Sequence, residues 1–137
     1  MDFYFVITCT LKFNLDTVII FVQNVDLLKS FYVDILQLEV VEEFKSEWVL
    51  LKAGNCNIGL HKIGAQYLKD NKETDKFETN TKIVFEIKDD MNHVRKYLVG
   101  KNVKLNEVKA FENYDFFTCD GEDPEGNIFQ LKQRKRH

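Results

Sequence analysis

The fold class this sequence predicts is α+β, two strand-helix-three-strand (βαβββ) modules in one domain, and three observations predict it. The first is a repeat. Thr17-Val18-Ile19-Ile20-Phe21-Val22-Gln23-Asn24 runs into an amphipathic stretch from Val25, and Lys82-Ile83-Val84-Phe85-Glu86-Ile87-Lys88-Asp89 runs into another from Asp90. The offset is 65 from Thr17 to Lys82 and from Asn24 to Asp89, so the copies stay in register into the helix cap. The second observation is that short β-prone runs separated by polar breaks follow each helix. The third is the turn Asp123-Pro124-Glu125-Gly126-Asn127, where Pro124 presets one dihedral and Gly126 can take positive φ. Two pseudo-equivalent half-sheets of this kind can face one another across a cavity.

The elements follow in order. Met1 to about Thr10 is rich in β-branched and aromatic residues; it is either an added strand or a frayed extension, and residues 1–14 are set apart as an N-terminal extension. In the first strand Val18, Ile20 and Val22 face one side and Thr17, Ile19 and Phe21 the other, so both faces need cover, the second from a ligand. Asn24 or Asp26 caps a helix whose apolar positions Leu28, Phe31, Tyr32 and Ile35 have helical spacing and which ends near Gln37. Val40 to Phe44, Trp48 to Lys52 and Asn57 to Lys62 read as strands, broken at Lys45-Ser46-Glu47 and Ala53-Gly54-Asn55. Gly64 to Thr79 is charged and poorly periodic, a solvated linker or a mobile flap.

In the second module Asp89 or Asp90 caps a helix carrying Met91, Val94, Tyr97 and Leu98, with Gly100 placed as its left-handed stop. Strands at Val103 to Val108, Asp115 to Cys119 and Ile128 to Lys132 complete the repeat. The expected division is module 1 at about 15–63, a linker at 64–79, module 2 at 80–133 and a basic tail at 134–137.

Composition narrows the function. With 45% apolar and 30% charged residues the chain is an ordinary globular protein, and a net charge of -3 argues against nucleic acid as a partner, since phosphate contacts need a basic face. The basic end, Lys132 to Arg136, reads as a solvated tail without aromatic platforms nearby. Twelve phenylalanines imply a Phe-rich core together with a cavity walled by rings. Cys9, Cys56 and Cys119 are odd in number and match no zinc or CxxC spacing, which fits reduced thiols and a cytoplasmic location. Asp2 ahead of the first apolar run is unlike a secretory signal, and no stretch is long enough to span a bilayer, so no membrane partner is expected.

The two modules, the Phe31-Tyr32 pair late in the first helix and the closing Asp-Pro-Glu-Gly-Asn turn together resemble the vicinal oxygen chelate superfamily, over about Leu15 to Gln133. That superfamily holds glyoxalase I, extradiol dioxygenases, fosfomycin-resistance enzymes and bleomycin-resistance proteins. The resemblance implies sheets curled into an open cup and, at this length, a homodimer that completes it. Metal-using relatives hold a divalent ion with His or Glu near the floor, where it acts as a Lewis acid. The matching positions here are Thr17, Gly59, Lys82 and Gln130. None is a good ligand for a hard or borderline cation, so no metal and no cofactor are expected.

The inner face implied by alternation carries Thr17, Phe21, Gly59, His61, Lys82, Glu86 and Gln130, with Trp48, Tyr114 and Phe116 at the rim or wall. This lining suits a medium-sized organic ligand with a planar part. Gly59 is expected to leave space, or to let backbone approach closely, which suits a bulky guest. His61 and Glu86 are the candidates for general acid/base work, against the simpler readings of a hydrogen-bonded His61 and a Glu86 paired with Lys82. The expected function is metal-independent binding of a small organic ligand, of the bleomycin-resistance kind. Two alternatives stand beside it: a glyoxalase- or dioxygenase-like enzyme with atypical ligands, and a non-catalytic interaction module.

Overall fold

The structure is a computed structural model that describes residues 15–65 and 81–136. The expectations placed on residues 1–14, Cys9 among them, on the charged run within 66–80 and on His137 lie outside the described residues. The first module is β1 (Thr17–Val22), α1 (Val25–Lys29) continuing as a π-helical stretch (Ser30–Ile35), β2 (Glu39–Phe44), β3 (Trp48–Ala53) and β4 (Cys56–Lys62). The second is β5 (Ile83–Glu86), α2 (Met91–Gly100), β6 (Lys104–Leu105), β7 (Lys109–Ala110), β8 (Phe116–Glu122) and β9 (Ile128–Arg134). Of the strand expected over Val103 to Val108 only β6 forms, and β7 lies just beyond it; the two pair with opposite ends of β8.

Each module forms its own sheet, in the orders β1-β4-β3-β2 and β5-β9-β8-β6. In both, the first strand runs parallel to the last and the hairpins are antiparallel. The repeat therefore survives in the pairing: Ile19 lies opposite Gly59 and Val84 opposite Gln130.

Local signals explain the helix ends. Asn24 accepts a hydrogen bond from the Leu27 N–H at 3.0 Å, which satisfies one of the orphan donors of the first turn. Asp90, rather than Asp89, does the same for α2 through the Asn92 N–H, so the repeat slips by one residue at the cap. The expected left-handed stop at Gly100 is also displaced. Gly100 is still helical, and Asn102 carries the positive φ of 66°, a conformation asparagine tolerates. At the end of the first helix Gln37 does this, at φ 65°.

The core lies on the helix side of both sheets. Leu28, Val49, Leu51 and Leu60 of module 1 and Met91, Leu98, Phe129 and Leu131 of module 2 belong to one buried cluster. Full burial of each large apolar side chain contributes roughly 2 kcal/mol. Helix α1 and its π-helical continuation join the modules, with the Phe31 ring packed 5.8 Å from that of Phe129. The Tyr32 hydroxyl donates to the buried Asp123 carboxylate at 2.8 Å. Burial, reinforced by the Asp123 charge and this hydrogen bond, pushes the Tyr32 phenol far above its ordinary pKa and keeps it a donor. Glu125 accepts hydrogen bonds from the Gln23 and Asn24 N–H groups, placing a carboxylate at the N-terminus of α1. Among the described residues no helix is long and apolar enough to cross a membrane.

Candidate functional site

The faces of the sheets turned away from the helices carry the candidate residues. On the first sheet, register places Ile19 beside Gly59 and Phe21 beside His61, while Trp48 of β3 lies opposite His61. His61 sits between two rings, 5.3 Å from Phe21 and 5.8 Å from Trp48. Its Nδ1 is 2.7 Å from the Lys62 carbonyl, which can only accept, so Nδ1–H is the donor. Phe44, opposite Trp48 at the edge, is 65% exposed. Phe44 reads as a strand residue in the sequence, but its place on this wall does not show there. An edge strand exposed along its whole length, with a register shift between Val40 and Glu42, obscures the alternation.

Gly59 corrects an expectation. A Cβ there would fall inside van der Waals contact with the Trp48 ring and 3.3 Å from Ile19 Cγ1. The missing side chain does not leave room for a guest; it lets the far edge of the Trp48 indole rest against β4. The indole is held there by its Nε1–H, which donates to Glu42 at 2.7 Å.

The second sheet is polar at the equivalent place. Lys82 Nζ is 2.8 Å from Asp120 Oδ2, and the Gln130 amide donates to Oδ1 at 2.9 Å. Burial raises the Asp120 pKa, but the hydrogen bonds from Lys82 and Gln130, with the charges of Lys82 and Lys109, outweigh it and hold the carboxyl below its usual value. Lys82 therefore pairs with Asp120, not with Glu86. Asp120 lies beyond the expected strand end at Cys119, which is why it was not among the candidates. Counting back through the hairpin from the Asp123 turn puts Asp120 opposite Gln130, as it is. Farther along, Tyr114 and Phe116 pack at 5.4 Å, and Lys132 and Arg134 lie 4.3 and 4.6 Å from the Phe116 centroid. The basic end thus does have an aromatic platform, and Lys135 is held as well, its N–H donating to the Asp115 carbonyl and its ammonium to the Phe111 carbonyl.

Thr17, Gly59, Lys82 and Gln130 do not fit a divalent ion. Thr17 offers a neutral hydroxyl turned to Asp16, Gly59 has no side chain and is covered by an indole, Lys82 is a cation, and Gln130 offers only a neutral amide oxygen. Among the described residues no group of three or more His, Cys, Asp or Glu is placed to hold a metal. His61 and Glu86 lie on different sheets, and no hydrogen bond or ion pair joins them among the described residues.

Between the edge strands β1 and β5 a hollow of roughly 340 Å³ opens, lined by Ile19, Phe21, Ile83 and Ile128 among others, within the range of small-molecule sites. A smaller one of roughly 160 Å³ sits over Lys82, Asp120 and Gln130. Another, roughly 550 Å³, is on the helix side, between α1 and the Asp123–Gly126 turn. There Asp123 and Glu125 are already engaged by Tyr32, Gln23 and Asn24, so they serve the module junction and the open face is the better candidate.

No family model matches the chain, and no curated protein matches it in sequence. Solved structures do match in three dimensions. A lactoylglutathione lyase from Agrobacterium tumefaciens superposes with TM-score 0.70 at 15% identity, covering 88% of this chain and 92% of that one. TnmS3, an antibiotic-binding protein from Streptomyces sp. CB03234, gives 0.70 at 15%, over 90% and 98%. An integron cassette protein from the mobile metagenome of a Halifax Harbour sewage outfall gives 0.70 at 18%, over 88% and 97%. At these identities the likeness shows the fold.

Proposed function

We propose, from the premise that this chain has the fold of the vicinal oxygen chelate superfamily, that it binds a small organic ligand on the open face of its sheets without using a metal ion. The observation that carries the reading is the occupation of the four family metal positions. Two are locked into the Lys82–Asp120–Gln130 network, one is roofed by Trp48, and Thr17 is turned to Asp16. Around them the face offers what a planar guest needs: Phe21 at 53% exposure, Phe44 at 65% and the partly covered Trp48. TnmS3, an antibiotic-binding protein of the same fold, supports small-molecule binding as something this architecture can do.

Trp48 is the only tryptophan, so it reports directly on this face. A library of flat aromatic compounds and glycopeptides is expected to contain members that raise the melting temperature and quench Trp48 emission in parallel. Bound ligand at about 100 times its Kd stabilises by about 2.7 kcal/mol. A broad library without a single shift would overturn the reading, and so would stoichiometric metal in the purified protein with turnover of methylglyoxal and glutathione.

We further propose that a second copy completes the cup. Ile19 and Val84 are exposed on the edge strands β1 and β5, and a homodimer would cover them. Sedimentation at micromolar concentration is expected to show a dimer; a monomer throughout that range counts against it.

A further inference from the structure

We infer that the module 2 half of the open face, at Phe116, Lys132 and Arg134, is an anion-reading subsite, so the ligand is a planar aromatic compound bearing a negatively charged oxygen group such as a carboxylate or phosphate. The inference rests on the reading of the open face as a ligand site.

The geometry brings two cations to one ring. Lys132 Nζ lies 4.3 Å and Arg134 Cζ 4.6 Å from the Phe116 centroid, so the charges are closer together than the ~10 Å over which 0.1 M salt screens exposed groups. Among the described residues neither forms an ion pair. The acids nearby do not neutralise them. Glu86 stands opposite Lys132 in the β5–β9 pairing, yet the ammonium lies over the ring, and Asp120 is taken by Lys82 and Gln130. Lys109, cross-strand to Thr118, adds another positive charge near Asp120.

Two like charges this close, without an ion-pair partner among the described residues, repel, and an anion within reach of both turns that repulsion into charge-assisted hydrogen bonds. The ring beneath restricts where the cations can go, and the Tyr114–Phe116 pair extends an apolar surface for the flat part of the same guest. Phe116 lies opposite Arg134 in the β8–β9 ladder, and Thr118 opposite Lys132, so strand pairing sets the spacing of the group in advance of any ligand.

The test is a matched pair of probes, 2-naphthoate and the uncharged 2-naphthamide, titrated by calorimetry and by Trp48 quenching. Naphthoate is expected to bind about tenfold tighter, with a preference that shrinks as salt is added. In the Lys132→Gln/Arg134→Gln double variant the preference should fall to within about twofold. Arg134→Gln alone, at an exposed position, should remove part of it and guards against misfolding of the double variant. Equal affinity for both probes, or a preference that survives the double substitution, overturns the subsite and leaves the open-face reading standing. Binding of other flat compounds but of neither probe has the same consequence. If no aromatic compound binds at all, both readings fall.

Discussion

Asp123→Ala is expected to lower the unfolding free energy by about 3 kcal/mol, the largest loss from any single polar side chain in this fold. Asp123 is 4% exposed, and its carboxylate accepts from the Tyr32 hydroxyl at 2.8 Å, the Glu125 and Asn127 N–H groups at 2.9 Å and the Asn127 side-chain amide. Removing it takes away the acceptor of the buried Tyr32 hydroxyl. It also loosens the turn that presents Glu125 to the start of α1, so the two modules lose one of their ties. Tyr32→Phe should cost less, about 1 kcal/mol, because Asp123 keeps its other donors. Urea denaturation checks both. An Asp123→Ala protein within about 0.5 kcal/mol of the parent would show that this carboxylate is not what joins the modules.

Gly59→Val should have the largest effect on the site. The new side chain occupies the space of the Trp48 ring, so the indole must leave β4 and give up its hydrogen bond to Glu42. Overpacking of this kind costs about 1–3 kcal/mol, at the lower end here because the far end of a side chain, not backbone, is what moves. The red shift of the single tryptophan's emission reports the displacement, and affinity for any flat ligand found in the screen should drop by about tenfold or more, as the wall that would stack on it is gone. Unchanged emission with unchanged affinity would mean that the indole does not rest on Gly59.

Much of the fold is legible in the sequence because it is written in short-range pattern. The helix caps at Asn24 and Asp90, the alternation in β1 and β9 and the Asp123-to-Asn127 turn with Gly126 at φ 84° all depend on residues a few positions apart. The same alternation puts Thr17, Gly59, Lys82 and Gln130 on the open face, and it is the family resemblance that marks these four as the metal positions, where their residue types fit a cation poorly. Expectation and structure part where the signal is weak or shared between segments. Gly100 and Asn102 both suit a helix stop, and sequence pattern does not rank them. The strand through Cys119 continues to Glu122 because pairing with β9 holds residues whose own β preference is low, and Asp120 comes into the site with it.

What the sequence alone determined is the repeated βαβββ order and the residues that face away from the helices, since both follow from chain periodicity. Tertiary structure alone decided the partners: Trp48 over Gly59, Asp120 between Lys82 and Gln130, Asp123 under Tyr32, and two cations on Phe116. Those contacts join side chains from different strands, or from different modules, and a pattern with period 2 or 3.6 carries no information about which face meets which. Only the packing of one sheet beside the other supplies it.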